Sequence, residues 1–288
     1  MNDSMCGIEG PPIDLVALDV DGTLLRTDKR LSIRVVRAIH QVQQQGTRVV
    51  LASARPPRSM REIYEHLRLD TWQINYNGAV IHDPPTGRNV FHQPIAADLA
   101  RRIVRTARKV DRKVVVSLEI LDKWYTDHVD EDLPTETSRR FSPDFVGPLD
   151  SFLHVPVTKI MLLAPPDRLT RVRNAVDRKF GRQIALAVSD AHLLQVIHRE
   201  VDKSRALATI AEHYNTPAER VMAIGDAPND VGMLRWAGLG VAMQNAWEVA
   251  LKAADVVVPS NDDDGVFVAL ERYVVNQSRW TRVCRCAP

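Results

Sequence analysis

The sequence predicts an α/β protein whose parallel-sheet core is interrupted by an inserted α+β unit. Three observations lead there. Residues 15–82 alternate short apolar runs with helix-periodic segments, the β-α-β-α-β rhythm of a parallel sheet covered on both faces. The rhythm breaks at Asp83-Pro84-Pro85-Thr86-Gly87, a turn cluster. Regular alternation returns only near residue 195. The expected organisation is a discontinuous core over 13–83 and 195–275, an insert over 84–194, and terminal tails over 1–12 and 276–288.

Each element has a local reason. Residues 15–20 form a short apolar run ended by a turn signal, which reads as a buried strand. A helix opens at Ser32, places Val35, Ile39 and Val42 on one face, and stops at Gly46. Residues 47–53 read as a second strand, Pro56-Pro57 open another helix, and 72–76 give a third strand. In the insert, a basic helix over 95–110 leads to β-rich 113–121 and then a polar stretch. A strand over 157–164, a helix over 167–180 and a strand over 184–188 follow. The core resumes with a helix over 203–214, a strand over 221–224, a helix after Asn229, a strand over 256–258 and a last helix at about 266–274. Gly238-Leu239-Gly240 lacks the rest of a dinucleotide fingerprint and reads as a loop. The tail from Asn276 has no periodicity and is expected to be loosely ordered.

Composition narrows the function classes. With 288 residues, 45% of them hydrophobic and 26% charged, the chain has the make-up of a soluble globular protein with ample core. A formal charge of +2 gives no argument for a nucleic-acid partner. Arg101, Arg102, Arg105, Arg108, Lys109, Arg112 and Lys113 cluster at helical spacing, which reads as a solvated face. Cys6, Cys284 and Cys286 all lie near the termini, which gives no disulfide framework and leads us to expect a reducing cytoplasm. As metal ligands these three would lack a fourth partner. Residues 1–12 have no apolar stretch of a signal peptide, and no apolar run is long enough for a bilayer. A cytoplasmic protein with no membrane or nucleic-acid partner is expected; nothing in the sequence sets an oligomeric state.

The chemistry concentrates at strand ends. Asp19 and Asp21 follow the first apolar run, at the sheet edge where open α/β folds place their ligand crevice. Charges are costly there unless they meet a metal or a cation. The pair reads either as a Mg²⁺ site with a carboxylate left for nucleophilic or proton-transfer work, or as a strand followed by an Asx-type turn. Val221-Met222-Ala223-Ile224-Gly225-Asp226 repeats the pattern, and Asp226 and Asp230 read either as further hard oxygen ligands or as helix caps. Ser53 ends the second strand, where a hydroxyl and backbone amides can hold a phosphate oxygen or simply cap a helix. Lys203 opens the helix that returns to the core and either sets a cation beside the acids or lies on the surface.

These segments, in this order, resemble the four motifs of the haloacid dehalogenase superfamily of phosphohydrolases: Asp19-Val20-Asp21-Gly22-Thr23, Ser53, Lys203 and Gly225-Asp226-Ala227-Pro228-Asn229-Asp230. The long insert is similar to the large α/β cap of the Cof-type subfamily. So are Asn75-Tyr76-Asn77-Gly78-Ala79, Asn245-Ala246 with Lys252-Ala253-Ala254-Asp255, and the stretch from Ser260 to Val266. The likeness covers about residues 13–274 and implies a Rossmann-like core. It implies that Asp19 is the nucleophile that forms an aspartyl-phosphate, and that Asp21 protonates the leaving group and then activates water. It further implies that Mg²⁺ is held by Asp19, the Asp21 carbonyl and Asp226, with Asp230 supporting it through water, and that Thr23 orients Asp21. Ser53, Lys203 and Asn229 would hold the phosphoryl oxygens, with Arg55, Asn77 and Gly78 also at the phosphate. The implied partner is a small phosphorylated metabolite such as a sugar phosphate.

Two positions depart from the subfamily pattern. Ser53-Ala54-Arg55 stands where Thr-Gly-Arg is usual, and Ser204 follows Lys203 where glycine is usual. Neither change removes a catalytic group. A phosphosugar mutase using the same phospho-aspartate, and a non-catalytic phospho-acceptor module, are the competing readings. The run Asp262-Asp263-Asp264 reads as a solvated loop at the start of the last helix. His192 and His198 show no metal-ligand spacing, although His198 could line the cleft. Trp124 and Tyr125 are either packed in the insert or placed to stack on a substrate ring.

Overall fold

In the computed structural model, residues 8–276 and 281–282 are described. Cys6, Cys284 and Cys286 lie outside them. The chain divides into two compact units, one of Met1–Arg55, Ser59–Val90 and Asp202–Pro288, the other of Pro56–Arg58 and Phe91–Val201.

The first unit is built on an eight-stranded sheet. Its order is Val256–Val258, Leu239–Met243, Val221–Gly225, Leu15–Asp19, Arg48–Ala52, Gln73–Asn75, Val80–Asp83 and Arg88–His92. The first six strands run parallel, and Val80–Asp83 then turns antiparallel to Gln73–Asn75. Leu15–Asp19 is buried along its whole length, as a central strand covered on both faces must be. Its period of two sorts side chains between two cores. Val16, Leu18 and Val20 join Val35, Ile39, Val42 and Leu270 on one face, while Leu15 and Ala17 meet Leu207, Ile210 and Met233 on the other.

The flanking helices follow from local signals. Ile33–Gln44 starts where the Ser32 hydroxyl accepts a hydrogen bond from the Arg34 amide at 3.3 Å, a short N-cap. Lys203–His213 is capped by Asp202, whose carboxylate accepts from the Ser204 amide at 2.6 Å. The expected last helix is split: Gly265–Leu270 is α-helical, and Glu271–Val275 continues it as a wider π turn.

The second unit carries a six-stranded sheet ordered Ile184–Asp190, Leu193–His198, Lys159–Leu163, Val115–Ile120, Lys123–Thr126 and Phe145–Val146. It is antiparallel except for the last pair. The helices Ala97–Val110 and Pro166–Phe180 cover one face through Leu99, Ile103, Val172 and Val176. Trp124 is buried in a smaller cluster with Val115, Met161, Leu163 and Leu193, and Tyr125 packs on Phe152 at 4.3 Å between ring centroids.

Several expectations need correction. Gly238-Leu239-Gly240 is not a loop: Leu239–Met243 is a fully buried parallel strand, because a five-residue apolar run between two strands outweighs its glycine punctuation. Lys123–Thr126 and Leu193–His198 are strands that went unpredicted, each a hairpin partner of a neighbour. The tail expected to be loose contains Thr281–Arg282, paired antiparallel with Ile8–Glu9. Backbone pairing of this kind needs no side-chain periodicity. The Asp262 carboxylate is not simply solvated. It accepts from the Thr27 amide at 2.9 Å and from the Thr27 hydroxyl at 2.7 Å. No helix among the described residues is long and apolar enough to cross a membrane.

Candidate active site

Strand register puts the acids at one edge. Leu18 pairs with Ile224 and Asp19 with Ala52, so Asp19, Ser53 and Asp226 emerge at the carboxyl ends of three adjacent parallel strands. One neighbour of the central strand follows it in the chain, and the other arrives from the far end of the sequence. This is the topological switch point at which open α/β sheets bind ligands.

Four buried charges meet there. Lys203 donates to Asp19 Oδ1 at 2.5 Å and to Asp230 Oδ1 at 2.7 Å. Burial works against its charge, but Asp19 and Asp230 outweigh burial and hold the ammonium above the ordinary lysine range. The other Asp230 oxygen accepts from the Asp226 amide at 3.1 Å and the Ala227 amide at 2.9 Å. Asp230 is thus fully partnered and completely buried. Asp19 holds its proton well above the ordinary carboxyl range, first through burial and then through repulsion from Asp230 and Asp226. Asp226 is pushed up to about 6, chiefly by burial.

The donor set suits a divalent cation. Asp19, Asp226 and Asp230 offer oxygens within 4.8 Å of one another, and the Lys203 ammonium bridges Asp19 and Asp230. Carboxylates this close repel one another unless a proton or a cation lies between them. Hard oxygens of this kind match Mg²⁺.

Asp21 is placed differently. It is about one-third exposed, and Arg55 and Lys29 bond to its carboxylate. Burial opposes its ionisation, but the Arg55 guanidinium and then the Lys29 ammonium hold it below the ordinary carboxylate range. Thr23, expected to orient Asp21, donates instead to Asp226 Oδ1 at 2.8 Å, because Gly22 turns the chain back over Asp226. Gly22 has φ +85°, and a Cβ there would lie 2.5 Å from Asp226 Oδ2, so only glycine fits.

The remaining predicted residues sit around this group. Ser53 is buried, and its hydroxyl accepts from the Arg55 amide at 3.1 Å. Asn229 Nδ2 donates to Asn77 Oδ1 at 2.9 Å. Asn77 itself is left-handed, at φ 59°. Gly78 lets this turn press on the cap of the Lys203 helix: at φ +103°, its Cβ would meet the Asp202 carbonyl at 2.4 Å.

A family model for haloacid dehalogenase-like hydrolases matches residues 16–270. The chain belongs to this family. It is an enzyme of the phosphatase kind that recurs among the family's curated members. It is 30% identical over 264 residues to the 5-amino-6-(5-phospho-D-ribitylamino)uracil phosphatase YitU of Bacillus subtilis, covering 90% of this chain and 97% of that one. It is 30% identical over 237 residues to the HMP-PP phosphatase of Cronobacter sakazakii, covering 81% and 84% respectively. A crystal structure of a haloacid dehalogenase-like hydrolase from Bacteroides thetaiotaomicron superposes with a TM-score of 0.81 at 27% identity, over 90% of this chain and 99% of that one.

Against that family background, three residues gain roles that the sequence did not assign. Asn245 Nδ2 donates to the Gly22 carbonyl at 2.8 Å, and its Oδ1 accepts from the Asn261 amide at 3.0 Å. Asn261 Nδ2 donates to the Leu25 carbonyl at 2.9 Å. Together they brace the loop that follows Asp19. Their presence in subfamily-like stretches was the available signal. Lys29, the third, carried none.

Proposed function

We propose that this hydrolase is a Mg²⁺-dependent phosphatase of small phosphate monoesters that works through an aspartyl-phosphate on Asp19. The observation that carries the reading is the cluster of Asp19, Asp226 and Asp230, with Lys203 bonded to the first and the last and Asp21 two residues beyond Asp19. Asp19, Asp226 and the Asp21 main-chain carbonyl would hold Mg²⁺, with Asp230 in support. When bound, the ion neutralises charge on the phosphoryl oxygens and the nucleophile.

The chain's own residues divide the work. An Asp19 oxygen attacks phosphorus, the bond to the leaving oxygen breaks, and Asp21 gives that oxygen a proton. The Asp21 carboxylate then takes a proton from the water that cleaves the intermediate. Ser53, Lys203 and Asn229 hold phosphoryl oxygens, with Asn77 fixing the Asn229 side chain. Positioning and charge neutralisation supply most of the rate, as in phosphoryl transfer generally. We assign the insert over 84–194 to selection of the leaving group. The Bacillus relative is named for a substrate whose phosphate sits on a ribityl chain, so polyol and sugar monoesters stand first among candidate substrates.

The test is inorganic phosphate release from a panel of such esters, with and without Mg²⁺, beside Asp19→Asn. We expect Mg²⁺-dependent release that the variant loses. An isomerised product without phosphate release would make the enzyme a mutase. Stable phosphorylation of Asp19 without turnover would make it a phospho-acceptor module.

A further inference from the structure

Both oxygens of the Asp21 carboxylate are claimed by cations. Oδ1 accepts from Arg55 Nη2 at 2.6 Å and from Lys29 at 2.8 Å, and Oδ2 accepts from Arg55 Nε at 2.7 Å. The Arg55 fork is only 9% exposed and meets the carboxylate side-on, through two parallel hydrogen bonds. Its backbone is pinned as well. The Arg55 amide donates to the Ser53 hydroxyl, and its carbonyl accepts from Asn75 Nδ2 at 3.1 Å and from the Tyr76 amide at 3.3 Å. Three neighbouring residues therefore aim this side chain at Asp21.

We propose that Arg55 is a positioning residue for Asp21 rather than a ligand of the phosphoryl group. The proposal rests on the reading of Asp21 as proton carrier. The proton that Asp21 gives to the leaving oxygen is the one it took from the lytic water of the preceding turnover; the leaving oxygen keeps the electron pair of the broken P–O bond, and a carboxylate is left behind. Arg55 and Lys29 are already arranged around that carboxylate. Their contacts strengthen as charge develops on Asp21, so they favour the transition state over the ground state. The two-point grip also fixes the direction in which the carboxyl faces the leaving oxygen.

Leaving-group chemistry separates this role from the alternatives. A nitrophenolate is a weak base and departs with little help from an acid, whereas a phenolate of the same shape needs the proton more. We would measure kcat/KM with Mg²⁺ for p-nitrophenyl phosphate and phenyl phosphate. The set is wild type, Asp21→Asn, Arg55→Met, Arg55→Lys, Lys29→Met and the double variant Asp21→Asn with Arg55→Met.

Arg55→Met is expected to lose about tenfold more on phenyl than on p-nitrophenyl phosphate, a fraction of the roughly 10²–10⁴-fold that a general acid supplies as a whole. Arg55→Lys should recover part of that loss. Lys29→Met, at a side chain 55% exposed, should show a smaller split in the same direction. The double variant should match Asp21→Asn to within about twofold, since both changes act through one group.

Equal loss on both esters would place Arg55 on the phosphoryl group they share, or in a purely structural role, and would overturn the proposal. Additive losses in the double variant would do the same. If Arg55→Met fails to fold, Arg55→Lys and Lys29→Met carry the same comparison. A split absent from Asp21→Asn itself would remove Asp21 as the acid, and this proposal with it. Wild-type turnover of neither ester, or of the nitrophenyl ester alone, also counts against a positioned acid.

Discussion

The two acid pairs of the site, Asp19 with Asp21 and Asp226 with Asp230, follow one plan with one difference. In each pair one carboxylate is left electrostatically exposed to its like-charged neighbours: Asp19 and Asp226 both hold their protons above the ordinary range. In each pair the other is fully claimed by donors. Asp230 is gripped by two backbone amides and a buried lysine, whereas Asp21 is gripped by two long side chains at a partly exposed position. Backbone amides do not move without the loop, but arginine and lysine side chains can. The contrast separates a structural anchor from the group that we propose gains and loses a proton in turnover.

The largest effect should come from Asp19, the proposed nucleophile, which Lys203 holds through one oxygen. Asp19→Asn removes the proposed nucleophile but keeps an oxygen to accept from Lys203. We expect kcat to fall by about a thousandfold or more, as for loss of a nucleophile elsewhere, with the thermal midpoint within a few degrees of wild type. Phosphate release and a thermal melt check the two halves. Retained turnover would end the nucleophile assignment.

Asp230→Ala tests the anchor. It would leave the Asp226 and Ala227 amides without their acceptor and Lys203 with Asp19 alone. Breaking a buried pair by removing one partner costs about 3–5 kcal/mol. We expect a loss of that order in denaturant unfolding. Asp21→Asn, at a partly exposed position, should cost far less stability and far more activity. If the two variants lost stability equally, the contrast between anchor and proton carrier would collapse.

The pairs stood out in the sequence as acids two or four residues apart after apolar strands, although each alone could also be read as a turn or a helix cap. Lys203 and Ser53 were legible only as members of the ordered set. Partners reaching in from loops were not. Lys29 reaches Asp21 from a left-handed position at φ 64°, and Thr23 turns to Asp226 because of Gly22. Both facts depend on backbone angles that residue type alone does not specify. The same limit explains the strands. Val256–Val258 was visible as an apolar run, but Leu239–Met243 was masked by glycines. Lys123–Thr126 gains its order from cross-strand pairing with Val115–Ile120 rather than from its own composition.

Protonation offers a subtler test of the two acids that hold their protons above the ordinary range. Asp226 holds its proton to about 6 in the fold, against 3.8 ordinarily. Between those values the folded chain binds more protons than the unfolded chain at this site, so acidification through the window stabilises the metal-free fold. Raising the pH through 6 removes that contribution. The difference in thermal midpoint between wild type and Asp226→Asn should follow this course. A cation competes with the proton, so Mg²⁺ should raise the wild-type midpoint more at pH 7.5 than at pH 5.5. Equal shifts at both would argue against Asp226 as a ligand.

The smallest expected effect concerns Thr23, which separates the two pairs most finely because it sits beside one and bonds to the other. Thr23→Val keeps the side-chain shape and removes the hydroxyl that donates to Asp226 Oδ1. Partners of ligating carboxylates typically contribute 10–100-fold to metal affinity. We expect Mg²⁺ affinity near the lower end, about tenfold weaker by calorimetric titration, with little change in the split between phenyl and p-nitrophenyl phosphate. A change in that split with unaltered Mg²⁺ affinity would return Thr23 to Asp21, the acid that its position in the sequence first suggested.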